Sequence, residues 1–164
     1  GTLMSNLGLE QAIREMGLDF HRANVGDRYV MQALEARGWS LGGEGSGHLI
    51  CLGKTSTGDA IVAALAVLSA MTGTGQQLSA LKQGFQKYPQ HMVNVRCDDK
   101  THIEHPSVKQ AVAAVESELG NKGRVLLRPS GTEPVIRVMV EGVHQDLVEK
   151  SAQAIAESVS RIVH

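Results

Sequence analysis

Apolar positions along the chain recur in two rhythms, one helical and one alternating, and they divide it into short elements. In "SNLGLEQAIREMG", Leu9, Ile13 and Met16 fall at i, i+4 and i+7, one helical stripe that Gly17 ends. "LDFHRANVG" reads as a short strand and turn, and "DRYVMQALEARG" as a second helix with Val30, Ala33 and Leu34 inward and Gly38 closing it. After Trp39, "LGGEGSGHLICLG" is an apolar strand interrupted by a glycine loop. In "KTSTGDAIVAALAVLSAM", Thr57 or Asp59 caps a helix so uniformly apolar that burial on most sides is expected. Leu78, Leu81 and Phe85 mark a further short helix ending near "KYPQ", where Pro89 blocks helical continuation.

A domain boundary is expected at that proline, with residues 1–88 before it and 89–164 after it. Beyond it "HMVNVRC" alternates as a strand. "HPSVKQAVAAVESELG" places Val108, Val112, Val115 and Leu119 on one helical face, with Pro106 in the first turn. "RVLLRPSGTEPVIRVMVEG" gives two strands around a polar turn. A last helix from near Gln145 carries Val148, Ala152, Ile155, Val159 and Ile162 as one core-facing stripe. The second half therefore reads β-α-β-β-α, and the fold class is α/β in two small units. The opening "GTLMSN" reads as the end of a strand, so the chain is expected to be cut from a longer one.

With 42% apolar residues, 164 residues suffice for a real core. A net charge of −1 with no Lys/Arg-rich run gives no footprint for nucleic acid or acidic membranes. The longest apolar run, Ala60 to Met71, is shorter than the roughly 20 residues of a membrane span, and no signal segment opens the chain. Cys51 and Cys97 have neither CxxC spacing nor the number for a disulfide framework, which fits a reducing, cytoplasmic setting.

Two loops carry candidate chemistry. "GGEGSGH", residues 42–48, surrounds Glu44, Ser46 and His48 with four glycines. Glycine lets a ligand approach the main chain, while a carboxylate and an imidazole can bond neighbouring hydroxyls of a sugar. A glycine-rich connection whose polar groups face water fits the same spacing. "HIEH", residues 102–105, has two imidazoles but no third ligand at suitable spacing, and no metal site is assigned.

In "RPSGTEPVIR", Arg128, the Ser130 and Thr132 hydroxyls and the Gly131 amide suit the oxygens of a phosphate. Ile136, Val138 and Val140 share one strand face, which puts Arg137 on the other, near the loop mouth. Glu133 would repel phosphate unless it is turned to brace an arginine. A hairpin turn with one surface ion pair is the competing interpretation.

Together the two loops resemble the sugar-binding and phosphate-binding loops of the α-D-phosphohexomutases. "TLMSNLGLE" and "VGDRYV" point to the bacterial branch that interconverts glucosamine 6-phosphate and glucosamine 1-phosphate for cell-wall precursors. The resemblance implies an isomerase of four domains, with a phosphoserine in the first and a Mg²⁺-binding aspartate loop in the second. Residues 1–88 would be part of domain three, an incomplete α/β/α sandwich. Residues 89–164 would be domain four, a small α+β domain like that of the TATA-box-binding protein. Glu44, Ser46 and His48 would meet the sugar, His48 in proton transfer or in orientation. Arg128, Ser130, Gly131, Thr132 and Arg137 would hold the phosphate that is not transferred. Glu133, Asp27 and Arg28 would support them. Gly45 and Gly53 depart from a polar residue and an aspartate common in relatives.

No phosphoserine or aspartate loop occurs in these residues, so the chain alone is expected to be inactive and to hold no cofactor, with Mg²⁺ belonging to the parent. Its partners would be a phosphorylated amino sugar and the remaining domains of the same enzyme, with dimerisation open. A stand-alone phosphosugar-binding module is the alternative.

Overall fold

Asn6 starts the first helix by accepting the Gly8 amide at 3.0 Å, and α1 runs Leu7–Glu15. In this computed structural model, which describes residues 1–163, the large apolar stripe of α1 is not the face that closes. Gly8 and Ala12 are buried, whereas Leu9 and Met16 are exposed. The reason is steric: a Cβ on Gly8 would sit 1.9 Å from the Gln86 carbonyl oxygen, so the helix meets the returning backbone on its small-residue side. The strand expected in "LDFHRANVG" is reduced to one parallel bridge between Thr2 and Ala23.

That bridge is held from below by charge. Arg22 donates to Glu10 at 2.7 Å and to the carbonyl oxygens of Thr2 and Ser5, and Arg14 donates to the other Glu10 oxygen at 3.0 Å. Burial pushes the Glu10 carboxyl up, but hydrogen bonds and charge from Arg14 and Arg22 outweigh it and hold the group below its ordinary range. Because the folded value is the lower one, the stabilisation is full above the ordinary glutamate pKa of about 4.3 and is lost as pH falls through the lowered value. An acid titration of the amides of residues 2–23 should show this region loosening below about pH 4, and Glu10→Gln should remove that step. An unchanged acid profile in the variant would show that Glu10 does not couple to folding.

The second helix, α2 (Asp27–Arg37), begins after Gly26 and ends at Gly38, whose φ of 65° is the left-handed stop. Its buried Val30 and Leu34 pack against a hairpin of β1 (Leu41–Gly43) and β2 (Leu49–Cys51). Gly42 makes this approach possible, since a Cβ there would come within 2.7 Å of Val30 Cγ1.

Asp59, not Thr57, caps α3 (Ala60–Thr74), accepting the Ile61 and Val62 amides. The expected burial of α3 is not what the structure shows. None of its residues is buried, and Ile61 and Leu65 are 73% and 59% exposed. Among the described residues the helix is met chiefly along one side, by β2. The short α4 is Leu78–Leu81, with Phe85 beyond it.

The chain divides after Gln86 into two compact units. The second has the order β3 (Gln90–Arg96), α5 (Pro106–Leu119), β4 (Gly123–Pro129), β5 (Val135–Gly142), α6 (Gln145–Val163), with a short 3₁₀ turn at Lys100–Glu104. Its sheet is antiparallel in the order β3-β5-β4. Ile136, Val138 and Val140 of the central strand are fully buried against Val108, Val148, Ala152, Ile155 and Val159 of α5 and α6. Each such Val or Ile contributes roughly 1.5–3 kcal/mol.

Alternation sends Arg137, Met139 and Glu141 to the opposite face. There Arg124 of β4 lies directly opposite Glu141, and the two form a salt bridge. Glu141 is 0% exposed.

Candidate functional site

The first candidate loop is the turn of the β1–β2 hairpin. The Glu44 amide donates to the His48 carbonyl at 3.0 Å, and Gly47, with φ 98°, turns the chain and donates to the Glu44 carbonyl. This folds Glu44 back beneath His48. The packing of α2 on Gly42 brings Asp27, the first residue of that helix, to the same place. His48 Nδ1 lies 3.2 Å from Asp27 Oδ1 and 3.4 Å from Glu44 Oε1. The Asp27 oxygen is buried and makes no aligned hydrogen bond, so its link to His48 is an ion pair that forms when the imidazole is protonated.

Glu44 is 12% exposed and His48 62%, so the carboxylate supports an imidazole that faces outward. One nitrogen thus lies close to two carboxylates, an arrangement that orients the ring. Ser46 is exposed at the tip of the turn. Arg28 is not brought to this group. It is exposed, with its guanidinium 5.9 Å from the Tyr29 ring centroid. A Cβ at Gly45 or Gly53 would meet nothing within 4 Å, so packing requires glycine at neither position.

Asp27, Glu44 and His48 are the one group among the described residues whose atoms could ligate a metal, lying within 4.8 Å of one another. An imidazole and two carboxylates do not fit Mg²⁺, which takes oxygen ligands in near-ideal octahedral geometry.

The second loop joins β4 to β5. Its frame is a set of backbone bonds: Ser130 donates to the Val135 carbonyl, and Cys97 to that of Pro134, both at 2.9 Å. The Ser130 hydroxyl accepts the Glu133 amide at 3.3 Å, and Ser130 is only 3% exposed. It shapes the turn from inside and keeps one O–H to donate. Gly131 and Thr132 are exposed, and a Cβ on Gly131 would meet nothing within 4 Å, so the turn is uncovered at this point.

The register places Arg128 directly opposite Arg137. Like charges directly opposed across a sheet destabilise it, so packing gives no reason for this pair. Glu133 offsets part of the repulsion, holding Arg137 Nη2 at 2.7 Å. Arg137 Nε is buried without a partner among the described residues. An anion between the two guanidiniums would satisfy all of this at once. One residue at this loop was missed by spacing: Lys100, thirty positions upstream in a polar connection, donates to the Ser130 carbonyl.

Two family models cover these loops. Phosphoglucomutase/phosphomannomutase, alpha/beta/alpha domain III matches residues 1–88, and the C-terminal domain of the same family matches residues 92–158. The chain belongs to the phosphoglucomutase/phosphomannomutase family. It is 57% identical over 162 residues to the phosphoglucosamine mutase of Methylococcus capsulatus, covering 98% of this chain and 36% of that protein. Identity to the Vibrio campbellii phosphoglucosamine mutase is 56% over 160 residues, 97% of this chain and 36% of the relative. The chain thus spans little more than a third of the curated relatives it matches.

Among solved structures, an Aspergillus fumigatus N-acetylphosphoglucosamine mutase aligns over 99% of this chain and 38% of its own, with TM-score 0.84 and 18% identity. The same enzyme in complex with GlcNAc-6P and magnesium aligns with TM-score 0.78 over 99% of this chain and 38% of its own, at 17% identity. At these identities the likeness is one of fold. No helix among the described residues is long and apolar enough to cross a membrane.

Proposed function

We propose that this chain is the substrate-recognition part of a phosphoglucosamine mutase, an isomerase that interconverts glucosamine 6-phosphate and glucosamine 1-phosphate. The observation that carries the proposal is Arg128 facing Arg137 beside an exposed turn at Gly131 and Thr132. Two guanidiniums offer planar forks matched to phosphate oxygens, and the cost of their mutual repulsion turns into affinity once a dianion arrives.

In this role Arg128, Arg137, the Gly131 amide and the Ser130 and Thr132 hydroxyls grip the phosphate that is not transferred. Glu133 holds the Arg137 fork in orientation. Since both ends of the sugar bear phosphate at different stages, one grip can serve either end. In the first unit, Glu44 and Ser46 meet sugar hydroxyls, and Asp27 and Glu44 hold the His48 ring while its Nε2 faces the ligand. Arg28, exposed at the start of α2, lies at the margin of that surface.

Residues 1–88 and 89–164 act as recognition domains three and four, and the bond-making step belongs to the rest of the enzyme. Mg²⁺ is assigned to that remainder, because the ligand set here does not fit it. The parent is placed in the cytoplasm, in keeping with two free cysteines.

A titration series tests this proposal. Inorganic phosphate should shift the amides of Gly131, Thr132 and Glu133, whereas glucosamine 6-phosphate should in addition move those of Glu44 to His48. If the hairpin amides respond to neither ligand, the sugar-contact assignment fails while the phosphate grip stands.

A further inference from the structure

The phosphate loop rests on a third cation. Lys100 comes from the 3₁₀ turn Lys100–Glu104, which Asp99 caps by accepting the Thr101 amide and hydroxyl. Those two bonds hold the Asp99 carboxyl below its ordinary range, with burial only partly opposing them, so Asp99 stays ionised and committed to the turn. Asp99 therefore fixes where Lys100 starts, and its carboxylate is directed to Thr101. The Lys100 ammonium reaches the Ser130 carbonyl, and no carboxylate pairs with it among the described residues.

An ammonium has three donors, and this contact uses one. This partly buried lysine, without a carboxylate partner among the described residues, lies at a loop whose two flanking strands already bring in two guanidiniums. One carboxylate, Glu133, pairs within that loop, and its partner is Arg137. Lys100, Arg128 and Arg137 thus meet at this loop with Glu133 as the one carboxylate paired among them, while Asp99 is turned to Thr101.

We propose that Lys100 is a phosphate-binding residue of this site, parked on the Ser130 carbonyl so that its remaining N–H groups and its charge serve the bound phosphate dianion. The inference rests on the phosphate-grip proposal and adds a residue to it. Lys100 contributes attraction that does not depend on fork geometry, which complements the two directional arginines. It also explains why a polar connection between β3 and α5 folds back on the β4–β5 turn.

The test is phosphate affinity of the full chain, read from the Gly131–Glu133 amides at several salt concentrations. Lys100→Met should weaken inorganic phosphate binding about tenfold, as loss of one charge-assisted hydrogen bond implies, and should flatten the salt dependence. Lys100→Arg, which keeps the charge, should restore most of the affinity. Thermal melting of the Met variant, monitored in parallel, separates loss of binding from loss of fold.

Equal affinity in wild type and Lys100→Met would overturn the inference and leave Lys100 as an anchor of the turn. A loss that Lys100→Arg does not restore would also overturn it, placing the effect in loop geometry. If wild type itself shows no phosphate-dependent shift, the grip proposal falls first and this inference with it.

Discussion

Arg128→Ala in the intact enzyme should lower kcat/KM by at least about a hundredfold. Hydrogen bonds to charged groups contribute about 1.5–3 kcal/mol each, and a guanidinium fork makes two, so the loss exceeds the roughly 2.7 kcal/mol that a hundredfold change requires. In the proposed grip on the spectator phosphate, part of the binding energy of Arg128 would position the reacting end, and kcat should fall as well as KM rise. Arg128→Lys should recover only part of the activity, since a point charge cannot reproduce the fork. Steady-state kinetics of the two variants measures this, and an unchanged kcat/KM in Arg128→Ala would remove Arg128 from the grip.

The same substitution should not destabilise the fold. Arg128 faces Arg137, and removing one of two opposed positive charges relieves repulsion. Thermal melting of Arg128→Ala is expected within a few degrees of wild type. That contrast, lost activity with retained stability, marks a residue kept for a ligand.

Arg124→Ala should do the reverse. Arg124 lies four positions earlier on the same strand and pairs with Glu141, which has no solvent exposure. Breaking a buried ion pair by removing one partner costs roughly 3–5 kcal/mol. For a domain of this size each kcal/mol shifts the midpoint by about 4–8 °C, so the second unit should melt at least about 12 °C lower. Calorimetry or amide signals from β3, β4 and β5 would record it. A melting point equal to wild type would show that the Arg124–Glu141 pair does not hold the sheet.

The second unit was legible in the sequence because its periodicities are unambiguous. The stripe Val148, Ala152, Ile155, Val159 is buried as expected, and the alternation Ile136, Val138, Val140 marks the core face of β5. Arg137 falls on the other face, and Glu133 meets it there. The first unit was less legible for a physical reason. Periodicity weighs large apolar residues, but α1 closes through Gly8 and Ala12, where the Gln86 backbone passes too near for a side chain. The apolar composition of α3 implied burial, while among the described residues it is covered chiefly on one side.

Side-chain gatherings divided along the same line. Glu44 and His48 are four apart and meet across a turn that the glycines foretell. Asp27 joins them only because α2 packs on Gly42, a tertiary fact with no spacing signal. Lys100 and Ser130 are thirty residues apart, and nothing in "DDKTHIEH" distinguishes that lysine from a solvated one. Local chemistry was readable from spacing, whereas Asp27 was reached only through the family resemblance and Lys100 not at all.

The most direct test of the account combines binding and turnover in one sample. The chain is mixed with glucosamine 6-phosphate at millimolar concentration and a hexose 1,6-bisphosphate, and both the protein amides and the phosphorus spectrum are followed. The account predicts shifts at Gly131, Thr132 and Glu133 and no glucosamine 1-phosphate. An unmoved loop at that concentration would contradict the phosphate grip, and appearance of the 1-phosphate would contradict the assignment of this chain to recognition alone.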